Sequence, residues 1–401
     1  MREKDHSHFH RLFGAKKTRI SYQKKDFLDY ALMIIISAFV VLAVYGSNNV
    51  MSLVGVSLCA FMFVTFLIRH GVEFRVPVIL KSPRDIIYTV IYKILNIKFM
   101  YIVAVTVLLL ENFLIYFTPD LPHNTELMRK ISFYLFYLHF IVITFYRTVI
   151  LIAHLKKKDH VAEVLGQTAW KRFITKRSGV SMNILHAYFT GILTHMILIA
   201  PWYVVITYFN FSIIFLPVIC AINIIISMNF IKVINAWFYR DHWLGHNSEF
   251  EFIYLHGSHH DAIPSGLIGV AGNGFLEGFL RHVLAFPNPF FNPVIASLVY
   301  TFEIKQDIDT HQFIPGIFPK SSREFQEVNQ HSVHHFGRLQ PYGFGMKLDQ
   351  TNTSEEFKSA FKRLPDELVN SAKLDEILTD FEWDNAGHRR YLDLFDRYQN
   401  K

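Results

Sequence analysis

Cysteine is almost absent. The two thiols, Cys59 and Cys220, lie inside apolar runs, which leaves no material for a disulfide framework or a thiolate metal site. Charge is scarce as well: Asp, Glu, Lys and Arg make up 18% of the 401 residues, below the usual quarter of a soluble domain. There is no glycine-rich phosphate loop, nucleophile triad, internal repeat, low-complexity stretch or nucleic-acid motif. Phosphate-loop nucleotide chemistry, acyl transfer by an activated serine or cysteine, and solenoid architecture therefore have no support. Residues 1–26 carry Lys16, Lys17, Arg19, Lys24 and Lys25 but lack the apolar centre and small-residue cleavage site of a signal peptide. They read as a basic cytoplasmic arm, with His6, His8 and His10 belonging to a solvated tail.

What remains is strongly apolar. Hydrophobic residues make up 51% of the chain and aromatic residues 16%, with 39 Phe, and the mean hydropathy is positive. That is the composition of a multi-span membrane protein. Apolar runs long enough to cross a bilayer occupy 27–45, 50–68, 99–117, 131–153, 182–208 and 211–234. Short links at 46–49 and 209–210 are expected to close the first and last pairs into hairpins. The loops 69–98 and 154–181 are rich in Lys and Arg, whereas the alternate loops hold only Arg129 and Lys130. By the positive-inside rule the protein is an integral, multi-pass membrane protein with both termini cytoplasmic, and its pI near 9.1 reflects that bias and contact with anionic lipid. Glu111, His139, Arg147, His186 and His195 interrupt the spans. Such groups are costly in a bilayer and mark either a functional pathway or polar contacts inside a bundle.

The histidines are concentrated. Ten of the 21 fall between His242 and His335, and eight of those form three clusters: His242 with His246, then His256 with His259 and His260, then His331 with His334 and His335. On a helix, residues three and four apart share a face, so each cluster can aim two or three imidazoles at one point. His311, between the second and third clusters, is a ninth candidate ligand. Asp307, four residues earlier, can share its face and either ligate or orient it, and His282 reads as a supporting residue. One metal accepts only about four to six ligands, so this set implies two ions. His6, His123 and His388 fall outside the clusters and are expected to tolerate replacement.

His-x-x-x-His, His-x-x-His-His and His-x-x-His-His in this order, downstream of membrane spans, resemble the fatty acid hydroxylase/sterol desaturase superfamily of integral-membrane di-iron oxygenases. The run from His311 through Pro315 and the Pro341-Tyr342-Gly343 segment strengthen the likeness, which covers about residues 236–346. Trp243 and the stretch from Lys347 depart from the family's pattern, which bears on the lipid accepted. The resemblance implies oxygen-dependent hydroxylation or desaturation of a membrane lipid by two Fe ions, with O2 as co-substrate. An alkyl C–H bond is too inert for acid, base or nucleophilic side chains, so its oxidation calls for an oxygen-activating cofactor; zinc, without redox chemistry, would not serve. Nothing in the chain resembles a haem-binding cytochrome b5 module or a flavin site, so electrons are expected from a separate donor of cytochrome b5 or ferredoxin type with its reductase. The rival reading is a histidine-rich membrane metal transporter or sensor.

The expected fold is all-α: a multi-span transmembrane bundle of about six helices over 27–235, a cytosolic helical cap over 236–346 carrying the di-metal site, and a soluble cytoplasmic tail over 347–401. Within the cap, residues 275–303 are apolar but broken by Pro287, Pro289 and Pro293, and are expected to lie in the membrane interface or dip into it. Gly272, Gly274 and Gly278 beside that segment could leave room for a lipid tail.

Overall fold

The computed structural model describes residues 98–166, 180–226, 292–312, 314–328 and 385–398, together with positions 228, 229, 241, 242, 267 and 331. The arm, the first two expected spans and the glycines at 272–278 lie outside the described residues. Among the described residues there are helices and connecting turns and no strand. In chain order the helices are α1 (Lys98–Phe117), α2 (Thr125–Lys156), α3 (Lys158–Gly166), α4 (Val180–Tyr208), α5 (Leu216–Ile226), α6 (Pro293–Thr310), α7 (Arg323–Val328) and α8 (Asn385–Tyr398).

α2 is the axis of the bundle. Its 32 residues make a rod of about 48 Å at 1.5 Å rise per residue. Among the described residues it is the one helix long and apolar enough to cross a membrane. Phe136 stacks on Trp202, His139 meets His195, and the Thr148 and Tyr188 hydroxyls lie 2.8 Å apart, so α4 runs antiparallel to α2. His139 also reaches Thr301, and Tyr146 donates to Asp309 at 2.5 Å, so α6 runs parallel to it. Ala296, Tyr300, Ile304 and Ile308 recur every four residues on α6 and join Phe136, Phe140, Ile143 and Trp202 in one core.

The polarity of α2 is inverted relative to a helix on a water-facing surface. Its buried face carries Ser132, His139, Arg147 and His154 among the apolar residues. Its exposed face carries Tyr134, Leu138, Ile141, Phe145 and Ile152. Against water this arrangement would expose apolar area and bury polar groups, the reverse of ordinary amphipathicity.

A polar knot holds the opposite end from the α2 C-terminus. Asn292 caps α6 by accepting from the Val294 N–H at 3.0 Å, and Pro293 occupies the first turn, where its missing N–H is not needed. The Asn292 amide donates to Glu111 at 3.1 Å, and the Ser212 N–H donates to the other Glu111 oxygen at 2.9 Å. His123 completes the knot. Its Nε2 faces the Thr118 carbonyl at 2.5 Å, so Nε2 carries the proton and Nδ1 accepts from the Ser212 hydroxyl at 3.0 Å. The expectation that His123 tolerates replacement therefore narrows to metal binding. His123→Ala should lower stability by about 1–3 kcal/mol, the cost of orphaning buried partners, read as a lower thermal midpoint in detergent with metal content unchanged.

Two further expectations change. The link expected at 209–210 extends to residue 215, because Phe211 and Ser212 are buried and their neighbour Ile213 donates its N–H to His123 rather than starting a helix. Pro217 sets the boundary: it would break a helix starting at 211 but fits the first turn of α5. The described part of 275–303 is helical from Pro293 onward. It is the first half of α6, about 27 Å long from its 18 residues, with Ala296 and Tyr300 in the core and Leu298 and Phe302 exposed. The proline starts this helix instead of breaking it.

Candidate metal centre

His311 is the C-cap residue of α6, so the helix fixes its height at the α2 C-terminal end of the bundle. Its Nδ1 lies 2.6 Å from the Asp307 carbonyl one turn back. A carbonyl can only accept, so Nδ1 carries the ring proton and Nε2 presents its lone pair outward. A backbone carbonyl holding the far nitrogen is the usual way a ligating imidazole is oriented. The Asp307 carboxylate stands at 3.4 Å from the same Nδ1, a supporting rather than a ligating position.

His331 meets His311 there. Their Nε2 atoms are 2.9 Å apart, with ring centroids at 4.4 Å and planes near perpendicular. His242 also meets His331, its ring centroid 5.3 Å away. All three rings are buried. The first cluster, the intermediate histidine and the third cluster thus contribute one residue each to a row of imidazoles, from segments separated by 69 and 20 positions in sequence. The row places His242 at the end of α6 away from Asn292.

Two imidazole nitrogens bonded at about 2.1 Å to one first-row metal, at right angles, stand roughly 3 Å apart. The His311–His331 separation fits that demand, and an all-nitrogen donor set suits iron, copper, nickel or zinc. Among the described residues no three His, Cys, Asp or Glu side chains gather their donor atoms about a single point; the row has two facing donors and a neighbour. His246, His256, His259, His260, His334 and His335, with the supporting residue His282, lie outside the described residues.

A second imidazole pair sits midway along α2. His139 and His195 have Nε2 atoms 2.6 Å apart, and His139 Nδ1 is 2.7 Å from the Thr301 hydroxyl. Thr301 spends its proton on the Ser297 carbonyl at 2.6 Å. It must therefore accept from His139 Nδ1–H, and His195 Nε2–H donates to His139 Nε2. Nearer the histidine row, the buried Arg147 guanidinium donates to the Gly191 carbonyl. These span-interrupting residues, with Glu111, face the bundle and hydrogen-bond across it. Sequence reasoning missed Thr301, Asn292 and Gly191 because their types carry no signal apart from their partners.

Comparison with protein-family models, with curated proteins and with solved structures finds no match.

Proposed function

We infer that this chain is an oxygen-dependent di-iron lipid hydroxylase or desaturase acting on a C–H bond of a membrane lipid. The observation that carries the reading is the row His242–His331–His311, in which three separated histidine segments meet and His311 is locked in the tautomer that presents Nε2. The histidine pattern's resemblance to the fatty acid hydroxylase/sterol desaturase superfamily supplies the metal identity. Two irons would provide the oxygen activation that no side chain can. The chain's own part is to hold the imidazoles at fixed spacing, to keep the far nitrogen of His311 hydrogen-bonded, and to exclude water with the buried core of α2, α4 and α6.

Membrane placement is supported by α2. A helix with polar groups inward and Tyr134, Leu138, Ile141 and Phe145 outward suits a lipid solvent. Tyr116, Tyr134 and Tyr208 lie exposed toward the Arg129 end, where tyrosines favour a membrane interface. The histidine row stands at the opposite end, with Lys156, Lys157 and Lys158, which the positive-inside rule makes cytoplasmic. In this reading the protein is multi-pass, and the lipid is approached from the cytoplasmic leaflet.

A second reading, a membrane metal transporter or sensor, draws on the His139–His195 pair, since transport sites lie near the bilayer midplane. Two imidazoles fall short of the roughly four ligands such a site needs. One comparison separates the readings. Purified protein reconstituted with ferrous iron, a reductase system and total membrane lipid should consume oxygen in step with appearance of a hydroxylated or desaturated lipid. Metal flux into vesicles without oxygen uptake would sink the oxygenase reading.

A further inference from the structure

We propose that the C-terminal helix α8 is a positioning brace that holds His311 and His331 at ligand separation, an inference resting on the metal-centre reading above. Leu392, Phe395 and Tyr398 recur every three residues on its buried face, while Asp393, Asp396 and Arg397 face out. Leu392 and Tyr398 pack with Val161 and Val164 of α3 and with Ile314 and Ile317, in the loop that leaves His311. The loop is tied back toward His311 by Gln312, whose amide donates to the Ile314 carbonyl at 2.6 Å.

Two polar ties hold the loop to α3, and a third joins α8 to α3. His160 Nε2 donates to the Pro315 carbonyl at 2.8 Å, and Lys157 Nζ to the Gly316 carbonyl at 3.0 Å. The Tyr398 hydroxyl donates to Glu163 at 2.8 Å, with its ring edge-on to His160. Gly316 has φ +80°, and a Cβ there would stand 2.3 Å from the Tyr398 carbonyl oxygen. Only glycine permits both the turn and the close approach. On its other side α8 pairs Asp396 with Arg323 of α7, the helix that ends three residues before His331. One short helix therefore grips the chain just after His311 and, through α7, at Arg323, eight residues before His331. A tail without a sequence-legible role acquires one from these contacts.

The test uses three full-length variants: Gly316→Val, Tyr398→Ala and the conservative Tyr398→Phe. Amide hydrogen exchange should quicken at least about tenfold over 311–331 in the first two and stay unchanged over 128–150, because only the local opening equilibrium shifts. Iron-loaded protein should release metal to a ferrous chelator at least about tenfold faster, in the range seen when partners of a metal ligand are lost. With lipid as substrate, kcat should fall while KM holds. Tyr398→Phe, which keeps the packing, should recover most of both losses. Unchanged exchange and chelator release in Gly316→Val and Tyr398→Ala would overturn the brace while leaving the metal centre intact. An intact chain that takes up no iron would instead overturn the metal reading on which the proposal rests.

Discussion

Replacing His311 or His331 with alanine is expected to strip metal and abolish oxygen-coupled lipid turnover together, while leaving the bundle folded. The two Nε2 atoms face each other at 2.9 Å, and loss of either removes a donor at the point where segments 69 and 20 positions apart converge. The effect should exceed the roughly 10–100-fold loss of metal affinity that accompanies removal of a ligand's outer partner. Asp307→Asn makes the contrast. Its backbone carbonyl, which accepts from His311 Nδ1, survives the substitution, and its carboxylate oxygen stands at 3.4 Å. That variant should keep its metal and lose at most about tenfold in affinity. His388→Ala, outside the clusters, should retain both metal and turnover. Metal per chain from elemental analysis and oxygen uptake on the same preparations are the measurements. Full metal in His311→Ala or in His331→Ala would remove that residue from the centre.

The helices easiest to foresee are those whose apolar runs are long and uninterrupted. The expected spans 131–153 and 182–208 become α2 and α4 with their ends extended by at most six residues. α6 is hidden by Glu303, Lys305, Asp307 and Asp309, which dilute its hydropathy, and by a proline whose position makes it a start rather than a break. Pro217 misleads in the opposite sense, since the apolar count at 211–215 outweighs a residue that bars those positions from joining α5 in one helix. Histidine spacing picks out in advance the three residues, His242, His311 and His331, whose rings meet. The supporting bonds are not legible: His311 is oriented by a backbone carbonyl, which every residue has, and His139 by a threonine 162 positions away. The role of α8 depends on long-range packing of the same kind.

Arg147→Met is expected to be the most destabilising single change within α2, even though it removes a charge from an apolar bundle. The guanidinium is 1% exposed, donates to the Gly191 carbonyl of α4, and interacts electrostatically with Asp307 of α6. It therefore links all three helices of the core. Truncation leaves the buried Gly191 carbonyl without its charged donor, which costs about 1–3 kcal/mol, and removes a positive charge whose field favours the Asp307 carboxylate. Arg147→Lys should recover little, because a compact ammonium on a differently shaped stem does not place a planar donor at the Gly191 carbonyl. Arg147→Met combined with Asp307→Asn removes both charges at once and should melt well above the value obtained by adding the two single losses. Thermal midpoints of the four proteins in one detergent, read by intrinsic fluorescence, complete the cycle. Strict additivity would show that Arg147 and Asp307 are not coupled, and an Arg147→Met protein as stable as the parent would show that the guanidinium does not hold α2 to α4.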